Sequence, residues 1–95
     1  MPQYDIAHIR EQGQDIIIIR LSSNYRYKTD SKLNTIRDDL RACAQAAGLA
    51  GTVVTVWDDG GGRMGFLAPG CWRPFFSSMT LSDIYANINM TLTCS

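Results

Sequence analysis

Ninety-five residues carry nine basic and nine acidic side chains, a net charge of zero, and a 45% hydrophobic, 19% charged composition. That balance suits one globular domain and excludes a disordered tail. It argues against a general polyanion binder, whose surface would be basic overall.

The three cysteines, Cys43, Cys71 and Cys94, form an odd, sparse set without metal-ligand spacing. They read as free thiols of a reducing compartment. The N-terminus carries Asp5, His8, Arg10 and Glu11 with no apolar core, so it is not a signal peptide. No apolar run approaches the ~18 residues of a membrane span. The expectation is a cytoplasmic protein with no membrane contact, no metal and no cofactor.

Tyr4 to Glu11 reads as a first strand, and Gln12-Gly13 as a two-residue hairpin turn. The second strand, Asp15 to Leu21, holds four consecutive isoleucines. β-Branched side chains are stiff at χ1 and favour extended backbone. In a strand Ile16 and Ile18 take one face and Ile17 and Ile19 the other, so both faces are apolar and the strand belongs in the middle of its sheet. The hairpin register sets Arg10 opposite Asp15, Asp5 opposite Arg20, Ile9 opposite Ile16 and Ile6 opposite Ile19. Each such pair contributes a fraction of a kcal/mol up to about 1. A one-residue slip breaks them all.

Ser22 to Asp30 is a polar connection. Thr29, Asp30 and Ser31 are good N-caps for a helix reaching about Ala47, with an apolar stripe of Leu33, Ile36, Leu40, Cys43 and Ala47. Gly48 followed by Leu49 predicts a left-handed stop. Thr52 to Trp57 and Arg63 to Ala68 read as a third and a fourth strand joined by Asp58 to Gly62. Pairing Trp57 with Arg63 gives one apolar face of Val54, Val56, Met64 and Phe66, and one mixed face of Val53, Thr55, Trp57, Arg63, Gly65 and Leu67. Pro69-Gly70 breaks the chain, and residues 69–80 give no clear element. Thr80 to Asp83 resembles a capping box opening a second helix that carries Leu81, Ile84, Tyr85 and Ile88. Residues 90–95 either fray or form a strand.

The order is ββαββα. It predicts an α+β two-layer sandwich, with a four-stranded antiparallel sheet and both helices on one face. The fourth strand is expected beside the second. In architecture this resembles a ferredoxin-like sheet with its last strand moved to the front, a frame that hosts many functions. The helix-free face would expose Ile17, Ile19, Val53 and Leu67, a patch that monomers rarely leave open, and so predicts a homodimer packed sheet on sheet. The alternative is that Cys71 to Met79 folds across the sheet, with Trp72, Phe75 and Phe76 as its cover.

Three sites follow. Arg20, Tyr25, Arg26, Tyr27, Lys28 and Lys32 interleave rings with cations, as single-stranded nucleic acid recognition requires; a solvated loop is the plainer reading. Thr55, Trp57, Arg63 and Gly65, with His8, outline a small-ligand pocket, Gly65 leaving room beside the indole and Arg63 meeting an anion or stacking on Trp57. The plainer reading is a bulge or a close backbone approach at Gly65. Asp58 to Arg63 fits neither a phosphate loop nor a calcium loop and reads as a flexible hairpin tip. Cys71 with His8 as base would be a nucleophile pair, but no third group orients the imidazole. One histidine and one glutamate are few groups for an enzyme. The sequence therefore predicts a non-catalytic interaction or ligand-binding domain, dimeric through its sheet. A nucleic-acid-binding or regulatory module is the first alternative, and a small enzyme with a sheet-face pocket the second.

Overall fold

The four isoleucines lie in the middle strand of a five-stranded sheet. A computed structural model of the chain describes residues 3–61 and 63–94, and of Arg26 the backbone alone. The strands are β1 (Gln3–Glu11), β2 (Gln14–Arg20), β3 (Thr52–Asp58), β4 (Met64–Leu67) and β5 (Met90–Thr93). Their order across the sheet is β4-β3-β2-β1-β5.

The β1–β2 hairpin has the expected register, with Ile6 opposite Ile19 and Arg10 opposite Asp15. Gln12 and Gly13 both take positive φ, the backbone of a turn whose twist matches the strands. Arg10 approaches Asp15 at 3.7 Å and Arg20 approaches Asp5 at 3.2 Å.

From β2 the chain enters a 3₁₀ turn over Ser23–Tyr27 and then α1 (Asp30–Ala46). The Thr29 hydroxyl accepts the Lys32 amide at 3.2 Å. At the far end Gly48 takes φ +82°, Leu49 N–H donates to the Ala44 carbonyl and Gly48 N–H to that of Gln45. These two bonds satisfy carbonyls that the helix end leaves without partners. The chain then enters β3, which runs parallel to β2, Ile18 facing Val54.

That parallel pairing corrects the expected topology. The class is α+β, but the sheet is mixed and five-stranded: β3, not β4, lies beside β2, and residues 90–93 add an edge strand against β1. A parallel neighbour requires a crossover, and α1 supplies it. The β3–β4 register also moves by two residues, Trp57 facing Gly65 rather than Arg63. A shift of two keeps every side chain on its expected face.

The helices do not share a face. α1 packs against Ile6, Ile17, Ile19, Val53, Trp57 and Leu92. The other face, with Ala7, Ile16, Ile18, Val54 and Val56, is covered by a 3₁₀ turn over Gly70–Trp72, by α2 (Arg73–Ser77) and by α3 (Leu81–Asn87). Trp72, Phe76 and Ile84 are the buried anchors of this layer. The Thr80–Asp83 capping box opens α3 as expected.

The proposed sheet-face dimer surface is therefore interior. Ile17, Ile19 and Val53 are buried, and Leu67 is half-buried against the same cluster, all beneath α1. The β2-α1-β3 connection covers one face, and the return after Pro69 covers the other. Among the described residues, both faces of the sheet are thus covered by elements of the same chain.

Cys43 and Cys94 form a disulfide between α1 and the residue after β5, with Cα atoms 5.8 Å apart. This corrects the reading of three free thiols and removes most of the argument for a reducing compartment; Cys71 alone is free. Among the described residues no helix is long and apolar enough to cross a membrane.

Candidate functional site

The parallel strands β2 and β3 end side by side; after β2 the chain leaves the sheet for α1, whereas after β3 it turns back into β4. In open α/β sheets the crevice at such carboxyl ends is the usual ligand position. Here β2 ends at Arg20 and β3 at Asp58. Leu21 N–H donates to the Val56 carbonyl at 2.8 Å, carrying the pairing one residue past β2. Beyond it lies a hollow of about 310 Å³, lined by Arg20, Leu21, Ser22, Ser23, Trp57, Asp58, Leu81 and Tyr85. A smaller hollow of about 190 Å³, lined by Tyr4 and Asp5 among others, shares the Arg20–Ser22 wall.

Arg20 is positioned from two sides. Its guanidinium donates to Asp5 on β1 and lies 4.8 Å from the centre of the Tyr85 ring on α3. The Asp58 carboxylate accepts the Gly60 amide at 2.9 Å through one oxygen, which tightens the turn and holds the side chain at the rim. The Trp57 indole N–H donates to Asp59 at 3.4 Å. Arg20, Asp5 and Asp58 together give the site a local charge of about minus one. It is thus a hollow with an aromatic wall, two serines, a fixed guanidinium and a carboxylate.

Of the expected ligand pocket, only Trp57 lines this hollow. Gly65 does not open space beside the tryptophan: a methyl group built there overlaps the indole, which already occupies that volume. Gly65 is a close approach, the plainer of the two readings. Thr55 is buried at 1% exposure, and its hydroxyl lacks a hydrogen-bond partner. Arg63 is exposed at the hairpin tip, its amide donating to the Gly60 carbonyl. Gly62 of the same tip lies outside the described residues. His8 stands opposite Ile17, level with Val53 and four residues short of Tyr4 along β1. That is roughly 13 Å from the carboxyl ends. Its amide and carbonyl are bridged by Asn89 at 3.1 and 2.9 Å. Cys71 lies in the layer on the opposite face from His8, so the sheet separates the imagined nucleophile from its base.

The nucleic-acid set divides. Arg20 belongs to the hollow. Tyr25 is half-buried against the α1 core, where burial and the neighbouring Tyr4 phenol raise its pKa above the usual value; Lys28 lies 5.3 Å over its ring. Tyr27, Lys28 and Lys32 are exposed. The Arg26 side chain lies outside the described residues.

Ser22, Ser23, Asp58 and Tyr85 were absent from the expected pocket. Their signal was position: three directly follow or close a strand, and Tyr85 sits one residue after the buried Ile84. Joining them required knowing that β2 and β3 are parallel. A larger hollow of about 600 Å³ runs along α1, but its lining includes a single charged side chain, Asp39, and several alanines. Among the described residues no group of three or more His, Cys, Asp or Glu is placed to hold a metal ion. No protein-family model, no curated protein and no solved structure matches this chain.

Proposed function

We propose that this chain is a small-ligand-binding domain without chemistry of its own, its ligand a small amine-bearing or zwitterionic molecule held at the carboxyl ends of β2 and β3. The observation that carries this reading is the convergence of Arg20, Trp57, Asp58 and Tyr85 on one hollow. The free Asp58 oxygen offers an acceptor to an ammonium group. Arg20 donates one of its five N–H groups to Asp5 and presents others to a carboxylate. The excess negative charge favours a cation over a simple anion. A binding role is further supported by the separation of His8 from Cys71.

The test is a nitrogen-15 correlation NMR titration with free amino acids and short diamines. Shifts are expected at Leu21, Ser22, Ser23, Asp58 and the Trp57 indole N–H. Asp58→Asn, which removes a charged acceptor, weakens the binding about tenfold. No shift at millimolar concentrations, or shifts confined to other residues, would discard the site.

A second reading keeps one observation in its favour. Tyr27 is 75% exposed beside two exposed lysines at this end of the molecule. Titration with a short single-stranded RNA separates the two: shifts centred on Tyr25 to Lys32, lost as salt rises, would move the function to nucleic acid.

A further inference from the structure

The residues around Cys43 on α1 are small. Ala42, Ala46 and Ala47 line the 600 Å³ hollow together with Asp39, Cys43 and Thr93. Cys43 is half-buried and also lines a second hollow of about 250 Å³, which Asp39 and Cys94 share. Cys94 itself is buried and does not reach the larger hollow. The two sulfurs of one disulfide are thus unequal: half-buried Cys43 lines both hollows, whereas buried Cys94 reaches only the smaller one. A volume of this size admits a small molecule.

We propose that the Cys43–Cys94 bond is a thiol–disulfide exchange site, at which a low-molecular-weight thiol attacks Cys43 from the hollow along α1. The entering thiolate forms an S–S bond to Cys43 as the Cys43–Cys94 bond breaks. The electron pair leaves on Cys94, which takes up a proton from water. A second thiolate attacks the added sulfur of the mixed disulfide and frees Cys43 as a thiol. The protein gains two electrons, and two small thiols leave as their disulfide. Which sulfur is attacked depends on access, and access is greater at Cys43, which lines both hollows and is the less buried of the two.

Two further features shape the site. Asp39 is exposed in the wall of the hollow, whereas its neighbour Asp38 is engaged by Arg37 and Arg41. Asp39 therefore selects for cationic thiols over anionic ones. Cys71, the free thiol, is in the layer across the sheet, so it does not compete for Cys43 within the chain. Opening the bond leaves β5 held by its ladder to β1 and by buried Leu92, so the exchange works on the folded protein.

The test begins with thiol titration of the unfolded, air-oxidised chain, where one thiol is expected; three would overturn the proposal. In a Cys71→Ser background the folded protein is then treated with cysteamine or glutathione, quenched in acid and mapped by mass spectrometry. The adduct is expected on Cys43 in at least tenfold excess over Cys94. Equal labelling, or labelling of Cys94, would overturn it. Reduction is expected to rise linearly with thiol concentration and to ignore sub-denaturing urea. A rate that levels off at the rate of global unfolding would show a sealed bond and end the proposal. Asp39→Asn, on the exposed side of α1, narrows the preference for cysteamine over glutathione by about threefold. An unchanged preference would overturn the charge selection.

Discussion

The two faces of the sheet are covered in different ways. On one side a single 17-residue helix, α1, is capped at both ends and tied by a disulfide to the last strand. On the other side three pieces of three, five and seven residues do the same work without a covalent tie. Helices that short are not stable alone, because nucleation costs more than a few hydrogen bonds return. They persist because large side chains anchor them. Phe76 is fully buried, with ring centres 5.1 Å from Phe75 and 5.8 Å from Phe66, and Trp72 stands edge-on to Phe75 at 5.6 Å. One layer is held by continuity along the chain, the other by packing at a few points.

Phe76→Ala strikes that contrast hardest. It should cost roughly 3–5 kcal/mol, from lost transfer energy and a cavity that neighbouring rings fill only in part. Amides of α2 and α3 should exchange with solvent faster, while those of α1 keep most of their protection. Chemical denaturation with hydrogen exchange followed by mass spectrometry checks both. An equal loss of protection across both layers would mean that they unfold as one unit and that the contrast is only geometric.

Opening the disulfide probes the other layer. The bond joins residues 51 apart in sequence, so it restrains a long loop in the unfolded chain. The double variant Cys43→Ser, Cys94→Ser should lose roughly 2–4 kcal/mol. For a domain of this size each kcal/mol lowers Tm by about 4–8 °C. Calorimetry should show that fall, and exchange should rise in β5 and the last turns of α1 but not in α2 or α3. A wild-type Tm would show that the bond ties nothing that packing does not already hold.

What the sequence disclosed follows the same division. The register of the β1–β2 hairpin was legible because its signals are local: a turn pair, two opposite-charge pairs and the isoleucine alternation. α1 was legible from Thr29 to Gly48 for the same reason. β3 and β4 kept their faces but not their register, since the glycine-rich tip between them sets no loop length. The parallel pairing of β2 and β3 was hidden, because hydrophobic pattern records burial and not the direction of a neighbour. The helical form of residues 69–80 was hidden too, because helices of three and five residues are too short to show a period, although Trp72, Phe75 and Phe76 as a cover of the sheet was the alternative reading. The Cys43–Cys94 pair was missed on spacing, as contact between the end of a helix and the end of the chain has no sequence signature. The site inherited these gaps. Arg20 and Trp57 were both singled out, but for separate sites, and only the parallel ladder brings them to one hollow.

Within the layer beneath α1, Thr55 is the one buried polar or charged residue of the described core, and its hydroxyl meets no partner. It lies between Ile19 on β2 and Leu67 on β4, on the face that also presents Val53 and Trp57. A hydroxyl in such a place loses its water and gains nothing in return. Valine has nearly the same shape and no polar atom. Thr55→Val should therefore raise stability, by about 1 kcal/mol, where most core substitutions lower it. A shift of the urea midpoint to higher concentration at unchanged slope checks this. The same change should leave ligand-induced NMR shifts at Leu21 to Ser23 and at Asp58 intact, since Thr55 does not line the hollow there. If Thr55→Val instead destabilises the fold, the hydroxyl has a partner, and the layer under α1 is less dry than its aliphatic lining implies.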